Sequence, residues 1–242
     1  MNRRLTFGVV AVVVLLALAG GGAYVYFFSS LRTSPQQLGL QTPSPAPIAS
    51  ASASASTTDL AGQWTVGTGS VVGYRVKELF AGQTTKHEAV ARTSTVSGGI
   101  TVAGDTGSGY QITSISITAN LAALHSVDQV AGRDVSQRDG VVSRQLDVQQ
   151  FPSATFAATA ASIPGPVTAS KVSTTVQGDL TIHGVTRTVT ATVQSQVAGG
   201  KVEVAGSASF AMSDFGVSPP FAPFVTVDGQ VVVEFDLFLA RA

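Results

Sequence analysis

The chain has 242 residues, a formal net charge of zero and no cysteine. Only 12% of its residues are charged and no basic stripe occurs, which argues against a nucleic-acid partner. The lack of cysteine excludes disulfides, thiolate nucleophiles, thiolate metal sites and a lipid-modified cysteine.

Arg3 and Arg4 precede an uncharged run over residues 5–28. As a helix, at ~1.5 Å per residue, the run spans ~36 Å, enough for a bilayer core of ~30 Å. Positive residues stay on the cytoplasmic side. The run therefore reads as a transmembrane anchor or uncleaved signal, single-pass, with residues 1–4 cytoplasmic and the remaining domain extracytoplasmic. Ala17-Leu18-Ala19 is a small-residue site of the kind signal peptidase accepts, and cleavage after Ala19 would give a secreted chain. Tyr24-Val25-Tyr26-Phe27-Phe28 argues for retention, because it continues the apolar run past that site with aromatics suited to a membrane interface.

Residues 29–58 form a Pro/Ala/Ser-rich linker holding Pro35, Pro43, Pro45 and Pro47, then alternating Ala and Ser from Ala49 to Ser56. No apolar periodicity marks a buried face, so the sequence predicts a disordered spacer that holds a domain off the membrane.

The domain covers residues 59–242, long enough for one substantial core. Gly, Thr, Ser and Val dominate, and the periodicity is that of strands. From Val172 to Ile182 the even positions are mostly apolar and the odd ones polar. After His183-Gly184, from Val185 to Val193, the odd positions are mostly apolar and the even ones are all Thr. This predicts a hairpin of two long strands, each with one dry and one wet face. Asp179 and Arg187 are expected to meet across it as a surface pair. The last strand sets Val231, Val233, Phe235, Leu237 and Leu239 on one face, with Glu234 and Asp236 pointing away. Similar alternation occurs at Ser70–Val76, Ala89–Val96 and Tyr110–Ala119. Gly98-Gly99, Gly104-Asp105, Gly199-Gly200 and Asp228-Gly229 read as the turns between strands. The fold class is all-β: many antiparallel strands make a sandwich or barrel, and long strands favour a barrel because closure removes exposed edges.

Two stretches break the pattern. Leu121 to about Gln150 clusters Arg133, Asp134, Arg138, Asp139, Arg144 and Asp147, and reads as a loop insertion with a short helix covering one barrel end. Residues 212–225 hold Pro219, Pro220 and Pro223 among Phe215, Phe221 and Phe224, which excludes a central strand. These aromatics are either core plugs or the lip of a pocket.

No catalytic constellation emerges. Asp105-Thr106-Gly107-Ser108 matches one half of an aspartic-protease site, but no second copy occurs, and it reads as a hairpin turn. Asp214-Phe215-Gly216 lacks the companions of a kinase. His87, His125 and His183 have no metal-ligand spacing. His183 at a hairpin turn reads as structural or solvated. An enzyme is not expected, although a hydrolase or isomerase remains as a third class.

A series of short motifs runs through the domain. Trp64-Thr65-Val66, Tyr74-Arg75-Val76 and Val96-Ser97-Gly98 come first, then an Arg-Asp pair, Leu146-Asp147 and Phe151-Pro152-Ser153-Ala154-Thr155-Phe156. The most specific block is Gly178-Asp179-Leu180-Thr181-Ile182-His183-Gly184-Val185-Thr186-Arg187, followed by Asp214-Phe215-Gly216-Val217. In order and spacing the series resembles the YceI-like family of bacterial cell-envelope proteins. The resemblance implies an antiparallel, lipocalin-like β-barrel with a long apolar interior that holds a polyisoprenoid or similar amphiphile. Gly62-Gln63-Trp64 is similar to the Gly-x-Trp with which lipocalins open their first strand, where Trp closes one barrel end. Two Arg-Asp pairs occur where the family usually shows one, and Arg138-Asp139 fits the family spacing to Leu146-Asp147 better than Arg133-Asp134.

On this reading Val176, Leu180, Ile182, Val189, Val193, Val233, Phe235 and Leu237 form the wall of a ligand cavity. Gly178 and Ala191 leave the volume, and Phe215, Phe221 and Phe224 form a lip. No cofactor or metal is expected; the ligand would be a polyprenyl lipid or quinone. The alternative is a structural or interaction module of the envelope, its barrel filled by its own side chains.

Overall fold

In the computed structural model, residues 32–41, 59–130, 133–164, 171–198 and 201–242 are described. The expected spanning run over residues 5–28 and linker residues 42–58 lie outside them. Among the described residues no helix is long and apolar enough to cross a membrane.

The alternating β-branched, Thr and aromatic segments form strands throughout. They are β1 (Arg32–Thr33), β2 (Gly62–Val66), β3 (Val71–Phe80), β4 (His87–Thr93), β5 (Val96–Asp105), β6 (Gly109–Asn120), β7 (His125–Ser126) and β8 (Gln129–Val130). The helix α1 (Gln137–Gln145) follows, then β9 (Ser153–Ala158), β10 (Ala161–Pro164), β11 (Lys171–Ile182), β12 (Val185–Ala198), β13 (Lys201–Ala211) and β14 (Val225–Arg241). All pairings are antiparallel, in the order β13-β12-β11-β9-β6-β5-β2-β14, and β14 pairs back onto β13. The ring closes on eight strands, a size whose interior holds either side chains or one small ligand.

The 17-residue β14 makes this closure possible. One edge runs along β13; the other meets β3 over Val225–Asp236 and then β2 over Leu239–Arg241. Strands β3, β4 and β7 continue the sheet from that second edge, and β3 lines the cavity with Tyr74, Val76, Glu78 and Phe80.

Several expected turns fall elsewhere. Gly98 and Gly99 lie inside β5, a strand the alternation did not resolve. A Cβ at Gly98 would strike the Ser116 carbonyl of β6, and one at Gly99 the Trp64 carbonyl of β2, so the pair lets three strands approach closely. Asp228-Gly229 lies within β14, where the register with β3 shifts between Val227 and Val231 as a bulge. Gly104-Asp105 does lead into a turn, with the Asp105 carboxylate accepting from the Gly107 and Ser108 amides. His183-Gly184 forms the two-residue β11–β12 turn, both residues at positive φ, as a primed hairpin turn requires. Across that hairpin Asp179 faces Thr188 and accepts its hydroxyl at 2.8 Å. Arg187 lies opposite Leu180 and donates to the Thr186 carbonyl, so the expected Asp179–Arg187 pair does not form.

The first part of the expected spacer is docked. Residues 32–41 cross the outer face of β4, β3, β14, β13 and β12 as a strap. Arg75 donates to the Pro35 carbonyl and Arg92 to that of Gln36. The Leu38 amide donates to Glu234, and the Gln41 amide to Glu203. Composition concealed this because the charged side chains of distant strands, rather than an apolar face, hold the strap.

Candidate functional site

Inside the ring lies a cavity of about 950 Å³, at the upper end of the ~300–1,000 Å³ of ligand pockets. Its wall is the dry face that the alternation predicts. Val176, Leu180, Ile182, Val189, Ala191, Val193, Val233, Phe235 and Leu237 all line it. Gly178 does not. A Cβ there would lie 2.5 Å from the Phe156 ring and 2.7 Å from the Ala157 carbonyl, so the missing side chain makes room for Phe156 of β9. The open interior also counts against a barrel filled by its own side chains.

One end is shut. Trp64, 2% exposed, packs with Tyr110 and Leu239 and donates its indole N–H to the Leu60 carbonyl at 2.9 Å. The Arg241 guanidinium lies over its ring, 5.0 Å from the centroid. This is the closing role expected of the Gly-x-Trp segment.

The other end is rimmed by side chains from α1 and from residues 212–225. Phe215 is a core plug, 1% exposed, packed against Leu180 and Val217. Phe221 is 95% exposed and Phe224 53%, and both reach the cavity rim as a lip. One loop thus supplies both of the roles weighed for its aromatics. A nine-residue helix such as α1 is marginal alone, and the Arg138-Asp139 pair pins it. Asp139 accepts from the Ser126 amide and hydroxyl. Arg138 donates to Glu78 at 2.6 Å and Asp128 at 2.7 Å.

Those contacts complete a polar cluster that sequence reading missed. Glu78 points inward from β3, His87 from β4, and Asp128 reaches in from the loop between β7 and β8. His87 Nε2 lies 2.7 Å from Asp128, which also accepts from the Val90 amide. Burial pushes the Asp128 carboxyl up, but bonds from His87, Arg138 and Val90 outweigh it and hold it at about 2. Ligand atoms of Glu78, His87 and Asp128 fall within 4.8 Å of one another. Arg138 already occupies both carboxylates, so a metal cation would have to displace it. Burial raises the Tyr74 phenol, keeping it neutral. Tyr74 lines the cavity within the field of Arg138, and no hydrogen bond to its hydroxyl occurs among the described residues. The sequence signal was present: Tyr74, Val76, Glu78 and Phe80 share the inward period of β3.

Fold and cavity define a closed antiparallel barrel with an apolar interior, one end sealed by Trp64 and the other open beside Phe221. The model of the YceI-like domain matches residues 64–239, and the chain belongs to that family. Two UPF0312 proteins, from Pseudomonas putida strains W619 and GB-1, are each 32% identical over 126 residues. The match covers 50% of this chain and 60% of each relative. A solved polyisoprenoid binding domain from Saccharophagus degradans superposes with a TM-score of 0.51 at 15% identity. That superposition covers 74% of this chain and 98% of the other, and at such identity it speaks to the fold.

Proposed function

We propose that this protein is a membrane-tethered extracytoplasmic carrier that holds an isoprenoid lipid, a quinone or a similar amphiphile inside its barrel. The observation that carries this is the apolar cavity of about 950 Å³, sealed by Trp64 and open beside Phe221. A chain of twenty carbons buried there gains on the order of 16 kcal/mol gross at ~0.8 kcal/mol per CH₂, before ordering costs, so tight binding needs few polar contacts. Tyr74 and Arg138 supply polar atoms for a head group. The polyisoprenoid binding of the Saccharophagus degradans domain supports an isoprenoid over other apolar ligands. Tethering rests on Arg3, Arg4 and the uncharged run over residues 5–28.

Native mass spectrometry tests the reading, on detergent-free protein beginning at residue 32 so that the strap is kept. The expected result is a stoichiometric adduct that extracts as a polyprenyl lipid or quinone. Ala191→Phe, which fills the cavity, should abolish the adduct while the barrel stays folded. A clean apo mass with no uptake of added polyprenyl lipid would favour the interaction module instead.

A further inference from the structure

The strap fixes which end of the barrel faces the chain's N-terminal run. It starts where Arg32 and Thr33 pair with Val130 and Gln129. Val130 is bridged to Arg133, whose guanidinium lies 4.4 Å from the Phe80 ring centroid and 5.7 Å from that of Phe224. The strap thus begins at the open end. It finishes toward the sealed end, where Gln41 meets Glu203 and Gln196. Residues 29–31 are all that separate the uncharged run from β1, a reach of about 14 Å even fully extended. A run that spans a bilayer therefore holds the open end against that bilayer.

The same end carries the apolar surface such a position needs. Phe221 and Phe224 are exposed there, and the other large hydrophobic exposed among the described residues is Val197 at 40%. The charges nearby are mostly balanced. Lys86 pairs with Asp228 at 2.7 Å, Asp134 stays ionised while accepting the Ser136 hydroxyl, and the Arg133 guanidinium lies beside the aromatic lip. Apolar insertion with the Arg133 guanidinium beside the inserted rings fits a lipid surface, and little salt dependence is expected of it.

We propose that the open end is a bilayer-docking surface. Phe221 and Phe224 enter the lipid interface beside Arg133, and the cavity loads directly from the leaflet that faces the domain. This rests on the tethered-carrier reading.

The test uses the full chain reconstituted into phosphatidylcholine–phosphatidylglycerol vesicles. No native cysteine competes, so Ser218→Cys beside the lip and Ser108→Cys at the sealed end can each carry one environment-sensitive fluorophore. The expected result is several-fold stronger quenching by brominated lipid at position 218 than at 108. Phe221→Ser with Phe224→Ser should bring position 218 down to the level of 108 while the protein still floats with the vesicles. Both side chains are exposed, so folding should survive. Equal, weak quenching at both positions in floated protein overturns the docking surface and leaves the tethered carrier standing. Protein that stays in the aqueous fraction overturns tether and docking together.

Discussion

Strand β3 has a buried charge cluster on each face, and the two are built on opposite terms. On the cavity side Arg138 sits between Glu78 and Asp128 and donates to both Asp128 oxygens, one of which it shares with His87. On the outer side Arg75 and Arg92 converge on Glu234, which is 0% exposed, and Arg75 also holds Glu88. Further along that face Glu203 and Asp236 lie together with no cation. Gln196 and the Gln41 amide serve Glu203, and one Asp236 oxygen has no hydrogen-bond partner. Burial raises Asp236 to about 6, with the Glu203 carboxylate adding to it, whereas Asp128 is held at about 2. Both aspartates are nearly inaccessible. A cation within hydrogen-bond distance, not depth, decides the direction of the shift.

The largest test of this contrast is Glu234→Ala. It leaves the buried Arg75 guanidinium and the half-buried Arg92 guanidinium without their shared carboxylate and should cost about 3–5 kcal/mol in chemical denaturation. Arg138→Ala should cost less, about 2–4 kcal/mol, because His87 and the Val90 amide still bond Asp128 when the guanidinium is gone. Its deficit should shrink as pH falls toward 2 and Asp128 becomes neutral. If the two variants lose equally at every pH, the distinction between the faces fails. Leu38→Pro removes the strap amide that Glu234 accepts at 3.0 Å and should cost about 1–2 kcal/mol, read as a shift in denaturation midpoint.

The smallest effect carries the opposite sign. Asp128, lowered in the folded state, contributes stability above its unfolded value of about 4, and this is lost as pH falls toward 2. Asp236, raised in the folded state, contributes most below about 4 and loses that contribution as pH rises through 6. Asp236→Asn should therefore stabilise the protein by roughly 1 kcal/mol at pH 7 and by little at pH 4. Equal effects at both pH values would remove Asp236 as the cause.

What was legible in the sequence followed period two. The β11–β12 hairpin and the inward row of β14 could be read directly, because a barrel with one dry face writes its wall into every second residue. The cavity lining could be read for the same reason, with Gly178 as the exception, since nothing local reveals that Phe156 fills its space. Glycine misled in both directions: Gly98-Gly99 and Asp228-Gly229 look like turns but relieve close approach or absorb a bulge inside strands. The polar cluster was hidden because Asp128 and Arg138 enter from irregular chain that has no period to follow.

By itself, the sequence determined an all-β domain with an apolar inner wall, an aromatic proline-rich loop and the residues of the YceI-like family. Alternation and turn chemistry are local, and local order suffices to state them. Only the tertiary structure decided that the interior stays open, that Phe215 plugs while Phe221 and Phe224 stand exposed, and that residues 32–41 bind the barrel. Each depends on which side chains distant strands bring together. Arg75, Arg92, Glu203 and Glu234 become a binding site for the strap only once four separate strands lie side by side.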